Sequence, residues 1–540
     1  MTANIAVEVA EPCPEGFTSV PCGKLDVANN EKLALVSMMF LFPSRLEAVK
    51  MKDAYYTLLR AWPILAGRLR KGKVHPELWR IHVPSASKLE ELIEFDKKGV
   101  FASKEKVPMY TENDCSDKSL DSILPLARFA KRSSTKLNQQ APVILNIDRS
   151  VLLSYLTSPL GLKSNAECFQ RDAPIFSVHV VNFADGAGFS FTVPHVCFDG
   201  SGARTLLEAY TTLLKGGTVD QPPPLGYDPF TSFQPNPNVP GKQVSVPSAP
   251  GTWHVLNILS LLVLSYYFVL DLLWERPERT MQRIAVYIPP KSVNEIKAQA
   301  KGDLERELGP GNPKAEKLST GAALHAWIIK NDLAVRMEKG ADRLSTHATL
   351  ANMRFRLPTG LDSIHPRYLS NALVPIAVEP IKTRDLASRS LGQIALDVQE
   401  ALRNKSTPEE LEKFVRWQVW RSTPPELGGG HHRNSMAVFF PPAAHFTVVT
   451  DWSKFDLFDL DFSGGMEATS SPKTDGDDAE NGDARKVLSI IVDAHTPLHH
   501  RNAWSIAGGR NGERWLLGSI SESERRHPDG WGKLADAENF

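Results

Sequence analysis

Cysteine is scarce in this 540-residue chain, with only Cys13, Cys22, Cys115, Cys168 and Cys197. They are scattered and form no CxxC pair. That excludes a disulfide framework and a CxxC zinc site, and it points to a reducing compartment. An excess of one charge is also lacking, since Lys+Arg and Asp+Glu both number 62. A nucleic-acid binder usually shows a basic surplus, so no nucleic-acid partner is expected. The N-terminus carries acids where a secretory signal has a basic start and an apolar core, so a cytoplasmic location is expected. There is no GxSxG elbow and no GxxxxGK[ST] phosphate loop. Gly200-Ser-Gly202-Ala-Arg-Thr205 lacks the third glycine of a dinucleotide loop. His495, His499 and His500 have metal-like spacing, but Pro497 breaks the helix that would gather them, and no metal is expected. No internal repeat occurs.

What is present is the composition of a soluble globular protein, 42% hydrophobic and 23% charged, long enough for two large domains. Apolar spacing of three to four predicts a helix over 45–62, using Leu46, Val49, Tyr55, Leu58, Leu59 and Trp62. Residues 175–183 and 188–195 read as two strands of a hairpin joined by Ala-Asp-Gly-Ala. A helix follows over 201–215, closed by Gly216-Gly217. Nine prolines between 218 and 252 stop regular structure and mark a crossover linker between two halves. The Asp-, Ser- and Gly-rich stretch 468–483 reads as a loop, as does Gly428-Gly-Gly-His431-His432-Arg433.

Residues 255–273 form the one long apolar run, flanked by Trp253 and Trp274. Three placements fit it: a helix packed on the protein, a helix on a membrane surface, or a span. Asn257, Ser260, Ser265 and Asp271 disfavour a span. The expectation is a soluble or peripherally membrane-associated protein.

The strongest local signal is His195-Val-Cys-Phe-Asp199-Gly200, at the end of an apolar strand and the start of a helix. Pro194 stops the strand and places His195 at its end. A free imidazole titrates near pH 6.5, so it can take a proton from a hydroxyl or amine at neutral pH. The plainer alternative is that His195 packs at a strand end and Asp199 only caps the next helix. Cys197 reads as a buried apolar residue rather than a nucleophile.

HVCFDG at 195–200 resembles the HxxxDG signature of the BAHD acyltransferases, in the form found in fungal secondary metabolism. Four further stretches resemble the same family in its order. They are Ala61-Trp-Pro-Ile-Leu-Ala-Gly-Arg68, Leu318-Ser-Thr-Gly-Ala-Ala-Leu-His-Ala-Trp327, Asn352-Met-Arg354-Phe-Arg356-Leu-Pro with Tyr368-Leu-Ser-Asn371-Ala, and Thr450-Asp-Trp452 with Asp461-Phe462-Ser-Gly-Gly465. The family's DFGWG is DFSGG here, and its YxGN is YLSN.

The resemblance implies an α/β (α+β) fold of two chloramphenicol-acetyltransferase-like domains, with mixed sheets, flanking helices and a channel between them. It implies an N-terminal domain at 1–217, a Pro-rich linker with the apolar helix at 218–280, and a C-terminal domain at 281–540. His195 is the implied general base, passing an acyl group from acyl-CoA to a small-molecule alcohol or amine without an acyl-enzyme. Trp452 and Thr450 are the implied oxyanion donors. Asp199 is implied to pair with Arg354 or Arg356, and Gly200 and Asp461 support the site. No permanent cofactor is implied, acyl-CoA being a co-substrate, and a monomer is expected. The alternatives are a non-catalytic lipid or metabolite binder, a membrane-tethered member of the same fold, or a carrier-protein-dependent condensation-type transferase. The last favours HHxxxDG, whereas residue 194 is Pro.

Overall fold

The computed structural model describes residues 13–28, 34–71, 79–99, 107–135, 141–235, 247–425, 428–430, 436–467, 487–494, 501–509 and 511–536. The 468–483 stretch, His431, His432, Arg433, His495, His499 and His500 lie outside them.

The fold is mixed α/β, in two lobes that each carry helices against a mixed sheet. The first sheet runs, edge to edge, through strands Ser489–Ala494, Leu35–Phe42, Gly186–Pro194, Ser177–Phe183 and Tyr110–Cys115. Neighbours are antiparallel except the last pair. The expected hairpin is the pair Ser177–Phe183 and Gly186–Pro194, in register from Ser177↔Thr192 to Phe183↔Gly186. Helix Gly200–Leu214 packs on this sheet, its Tyr210 ring stacked on Phe189 with centroids 5.2 Å apart. The expected helix over 45–62 is observed as Ala48–Ala61, and Tyr210 donates to the Met51 carbonyl (2.8 Å) to join the two helices. Gly216, at φ +76°, turns the chain out of the Gly200–Leu214 helix, a conformation that favours glycine.

The second sheet orders strands Leu373–Ala377, Leu344–Asn352, His445–Asp451, Ala503–Ala507, Arg514–Ser521, Met281–Ile288, Val143–Ile147 and Ala535–Asp536. Apolar faces of helices Pro290–Leu308, Thr320–Gly340 and Leu391–Lys405 share one core with it. Two strands therefore sit far along the chain from their sheet. Val143–Ile147 pairs with Met281–Ile288, and Ser489–Ala494 covers the edge of Leu35–Phe42. The two halves interlock through these backbone ladders.

The DFSGG segment also crosses over. Phe462 is fully buried among Phe40, Phe42 and Phe189, with centroids 5.0 to 5.7 Å apart. Removing such a ring typically costs about 3–5 kcal/mol. A Cβ on Gly464 would lie 2.2 Å from the Leu214 carbonyl oxygen, so only glycine fits there.

Among the described residues of 218–252, the only regular element is a 3-10 turn at Pro229–Phe233, as the prolines require. Trp62 Nε1 donates to the Asp220 carbonyl (2.9 Å) and Arg367 pairs with Asp220 (2.7 Å), strapping this segment across both halves. The apolar run forms helix Ile258–Leu270 with a π-helical turn at Asp271–Glu275. No residue of Ile258–Leu270 is buried, and one side only is covered, so the helix lies on the protein and is not sunk into its core. By length and composition alone, the segment Ile258–Glu275 is sufficient to cross a membrane.

Candidate active site

Pro194 is the last rung of its strand, opposite Leu35. The His195 amide donates to the Ala34 carbonyl (2.9 Å), and the chain then turns, Cys197 N bonding to the Pro194 carbonyl (2.9 Å). His195 is half-buried where strand gives way to helix. Cys197 is buried, and desolvation pushes its thiol well above the usual range, so it is a packing residue rather than a thiolate.

Asp199 carries out both roles the sequence left open. Its Oδ1 accepts from the Gly202 amide (2.8 Å) and caps helix Gly200–Leu214. Its Oδ2 accepts from Arg354 Nη1 (2.7 Å) and from the Ala372 amide (2.9 Å). The Asp199 side chain is fully buried, so these donors replace its lost hydration. Arg354 Nη2 also donates to the Ser370 (2.6 Å) and Tyr368 (3.1 Å) carbonyls. Arg356 turns away and donates to Ser406 Oγ (2.6 Å). Asn352 Nδ2 donates to Ser201 Oγ (2.5 Å) across the same contact. The approach is close: a Cβ on Gly202 would lie 1.8 Å from the Leu369 carbonyl oxygen, and one on Gly200 would lie 2.7 Å from the Phe455 ring.

Two further residues converge here to which the sequence assigned no role. Asn371 Nδ2 donates to the His195 carbonyl (2.9 Å) and to Asp26 Oδ1 (2.8 Å), while the Asn371 amide also donates to Asp26 Oδ1 (2.8 Å). Asp26 Oδ2 accepts from the Gly23 amide (2.9 Å). Burial pushes the Asp26 carboxyl up to about 7, against the opposing pull of the Asn371 hydrogen bonds. Asn371 lay in the YLSN stretch with no role attached. Asp26 sits between Leu25 and Val27 in a five-residue helix, where local pattern does not separate a buried acid from a surface one.

Trp452 follows strand His445–Asp451, its amide bonded to the Ile506 carbonyl (2.8 Å). Its ring meets Phe455 edge-on at 5.6 Å, beside Gly200. The indole N–H donates to Thr450 Oγ1 (3.0 Å), and the Thr450 hydroxyl donates in turn to the Trp504 carbonyl (3.2 Å). Asp461 lies apart, accepting from the Ser463 amide (3.0 Å) and pairing with Lys215 (3.3 Å) at the end of helix Gly200–Leu214. It supports the DFSGG turn.

A cavity of about 800 Å³ opens on the far side of Arg354. Among the described residues, Arg356, Arg403 and Lys454 line it with Gln399 and Ser319, and Glu400 pairs with Arg403 (3.7 Å). Ser319 caps helix Thr320–Gly340, whose positive N-terminal end adds to the field there.

The sequence model of the Transferase family matches residues 145–484, more than half of the chain. This chain belongs to that family, the BAHD acyltransferases. It is an acyltransferase. Acetyltransferase MATC1 of Mycosarcoma maydis is 25% identical over 96% of this chain and 97% of its own. In structure, the transferase resembles apo TRI101 of F. graminearum, with a TM-score of 0.63 at 13% identity over 96% of this chain and 99% of that one. F. sporotrichioides TRI101 complexed with coenzyme A and T-2 gives 0.59 at 14% identity, with the same coverages. These structures share the fold, including its two lobes.

Proposed function

We propose that this transferase moves an acyl group from coenzyme A to a hydroxyl or amine of a small secondary metabolite, with His195 as general base. The observation that carries the reading is the fastening of the His195 turn. Asp199 is held by Arg354 and the Ala372 amide from the second lobe, and Asn371 grips the His195 carbonyl. A base aimed by so many contacts suits a reaction that depends on orientation.

In the proposed step the acceptor oxygen or nitrogen attacks the thioester carbonyl while His195 removes its proton. The carbon–sulfur bond then breaks, and the imidazolium returns the proton to the leaving thiolate. No acyl-enzyme forms. The negative charge that develops on the carbonyl oxygen needs a donor, and the Trp452–Thr450 pair supports that role. The indole N–H now spent on Thr450 turns to the oxyanion, or the Thr450 hydroxyl does.

The donor is assigned on charge. Coenzyme A is a polyanion, and the cavity is lined by the cations Arg356, Arg403 and Lys454, of which Arg403 is paired with Glu400 (3.7 Å). TRI101 complexed with coenzyme A shares the fold, and MATC1 is named an acetyltransferase, which favours acetyl as the first donor to try. The proposal includes a cytoplasmic monomer, its five cysteines being free thiols. It keeps the divisions 1–217, 218–280 and 281–540, with strands Val143–Ile147 and Ser489–Ala494 exchanged between lobes.

The test is a panel of acyl-CoA donors against alcohols and amines, read by mass spectrometry, followed by initial-rate kinetics on the best pair. Intersecting double-reciprocal lines support direct transfer. Parallel lines with a trapped acyl-protein adduct would overturn it.

A further inference from the structure

On helix Ile258–Leu270 and its continuation, Ile258, Leu262, Tyr266, Val269 and Leu273 follow one another every three or four residues on the side away from the protein. Ile258 is 81% exposed, and Trp274, at the end of the row, is 74% exposed. A helix on the surface of a soluble protein puts polar residues on that side. Here no charged residue occurs from Val255 through Leu270, and Ser265 is the one small polar side chain interrupting the row.

The charges that do belong to the segment are turned inward and neutralised. Asp271 accepts from Arg276 Nε (2.8 Å) and Arg501 Nε (2.9 Å), and Glu275 accepts from Arg343 (2.6 Å). On the inner side Leu264 packs against Leu256, Val438 and Phe440, and Tyr267 lies beneath the Arg343 guanidinium at 4.3 Å.

Both ends are tied to the same body. At the start, His254–Val255 pairs with Ala437–Val438, and the Leu256 amide bonds to the Met436 carbonyl (2.8 Å). At the finish, the Asp271–Arg276–Arg501 knot and Lys339 Nζ on the Glu275 carbonyl (2.7 Å) pin the chain. The helix therefore lies along the surface and does not project. At its Trp274 end, exposed Lys339 reaches to 3.5 Å from the Trp274 carbonyl, and exposed Arg279 follows one turn later.

We propose that this helix docks on a lipid bilayer, its outward face sunk among the acyl chains and Trp274, Lys339 and Arg279 at the headgroups. Charge and shape select this occupant. A protein interface surrounds its apolar centre with hydrogen-bonding groups, whereas this row offers only the hydroxyls of Ser265 and Tyr266. An uncharged ridge ending in a tryptophan, with Lys339 and Arg279 beside exposed Glu338 and Glu278, matches hydrocarbon and then the polar interface. Tethering at both ends limits insertion to part of the helix's thickness and keeps His195, Arg354 and Trp452 on one side of the membrane.

The test is flotation of the full chain with phosphatidylcholine–phosphatidylglycerol vesicles, for wild type and the double variant Leu262→Glu, Tyr266→Glu. Wild type is expected to float. The double variant should partition about a hundredfold less, because each buried side chain is worth about tenfold or more, while melting and transfer to a water-soluble acceptor stay unchanged. Independently, brominated phosphatidylcholine should quench part of the wild-type tryptophan emission, and Trp274→Phe should remove that part. A wild type that stays with the soluble fraction overturns the proposal. So does a double variant that floats equally, or a wild-type dimer in sedimentation that the double variant converts to monomer, which would assign the face to a second copy. Protease protection of one half only in sealed vesicles would replace docking with a span.

Discussion

Asn371 joins Asp26 to His195: one side-chain amide nitrogen lies 2.8 Å from the Asp26 carboxylate and 2.9 Å from the His195 carbonyl oxygen. The next residue, Ala372, donates its amide to Asp199. Two carboxylates of the first lobe thus hold two consecutive residues of the second, and the His195 turn is caught between them.

That arrangement predicts an unusual pH dependence. The Asp26 carboxyl is raised to about 7 in the folded chain by burial. A raised folded value means stability that is full below the ordinary carboxylate range and lost as pH rises towards 7. Asp26→Asn mimics the protonated form. The melting temperatures of the two proteins should converge below about pH 4, where the unfolded carboxyl is protonated too. By pH 8 the variant should be more stable, by on the order of a few degrees. Thermal melts across that range check it, and a constant offset would show that Asp26 does not titrate there.

Removal of the base is the direct test of the chemistry. His195→Ala should fold and melt like wild type, since its backbone bonds to Ala34 and Asn371 survive. Its turnover should fall by about 10²–10⁴-fold. Near-normal turnover would end the general-base reading.

The two arginines should separate cleanly. Arg354→Ala leaves the buried Asp199 carboxylate without its cation, a loss of about 3–5 kcal/mol, and should lower both melting temperature and rate. Arg356→Ala loses only a bond to Ser406 and should melt within about 1 kcal/mol of wild type. Calorimetry of the pair distinguishes them, and equal destabilisation would contradict the geometry.

Trp452→Phe keeps the ring and removes the indole N–H. Turnover should drop by about 10²–10³-fold with KM little changed. A rise in KM alone would mean that Trp452 only shapes the pocket.

Arg403→Ala tests the donor cavity. The KM for acyl-CoA should rise by about tenfold for one lost phosphate contact. Transfer from an acyl-N-acetylcysteamine thioester, which has no phosphates, should be unaffected. An equal effect on both donors would move coenzyme A elsewhere.

Local chemistry alone was enough to place several elements. Pro194 had to end its strand, the Ala184-Asp185 turn had to make a hairpin, and Gly216 had to close its helix, because each effect acts within a few residues of chain. The ordered matches from Ala61 to Gly465 carried the family. What sequence left open was decided at long range. Arg354 and Arg356 have the same chemistry, and only the Asn352–Phe355 turn aims one at Asp199 and the other at Ser406. Val143–Ile147 and Ser489–Ala494 join sheets built far from them in the chain, and nothing in their own residues marks which sheet that is. Asp26 became part of the site only because folding brought Asn371, 345 positions away in the chain, against it. The apolar run 255–273 was evident from composition. Which side of it faces outward was set by Asp271, whose salt bridges to Arg276 and distant Arg501 turn one face to the protein and leave the other uncovered.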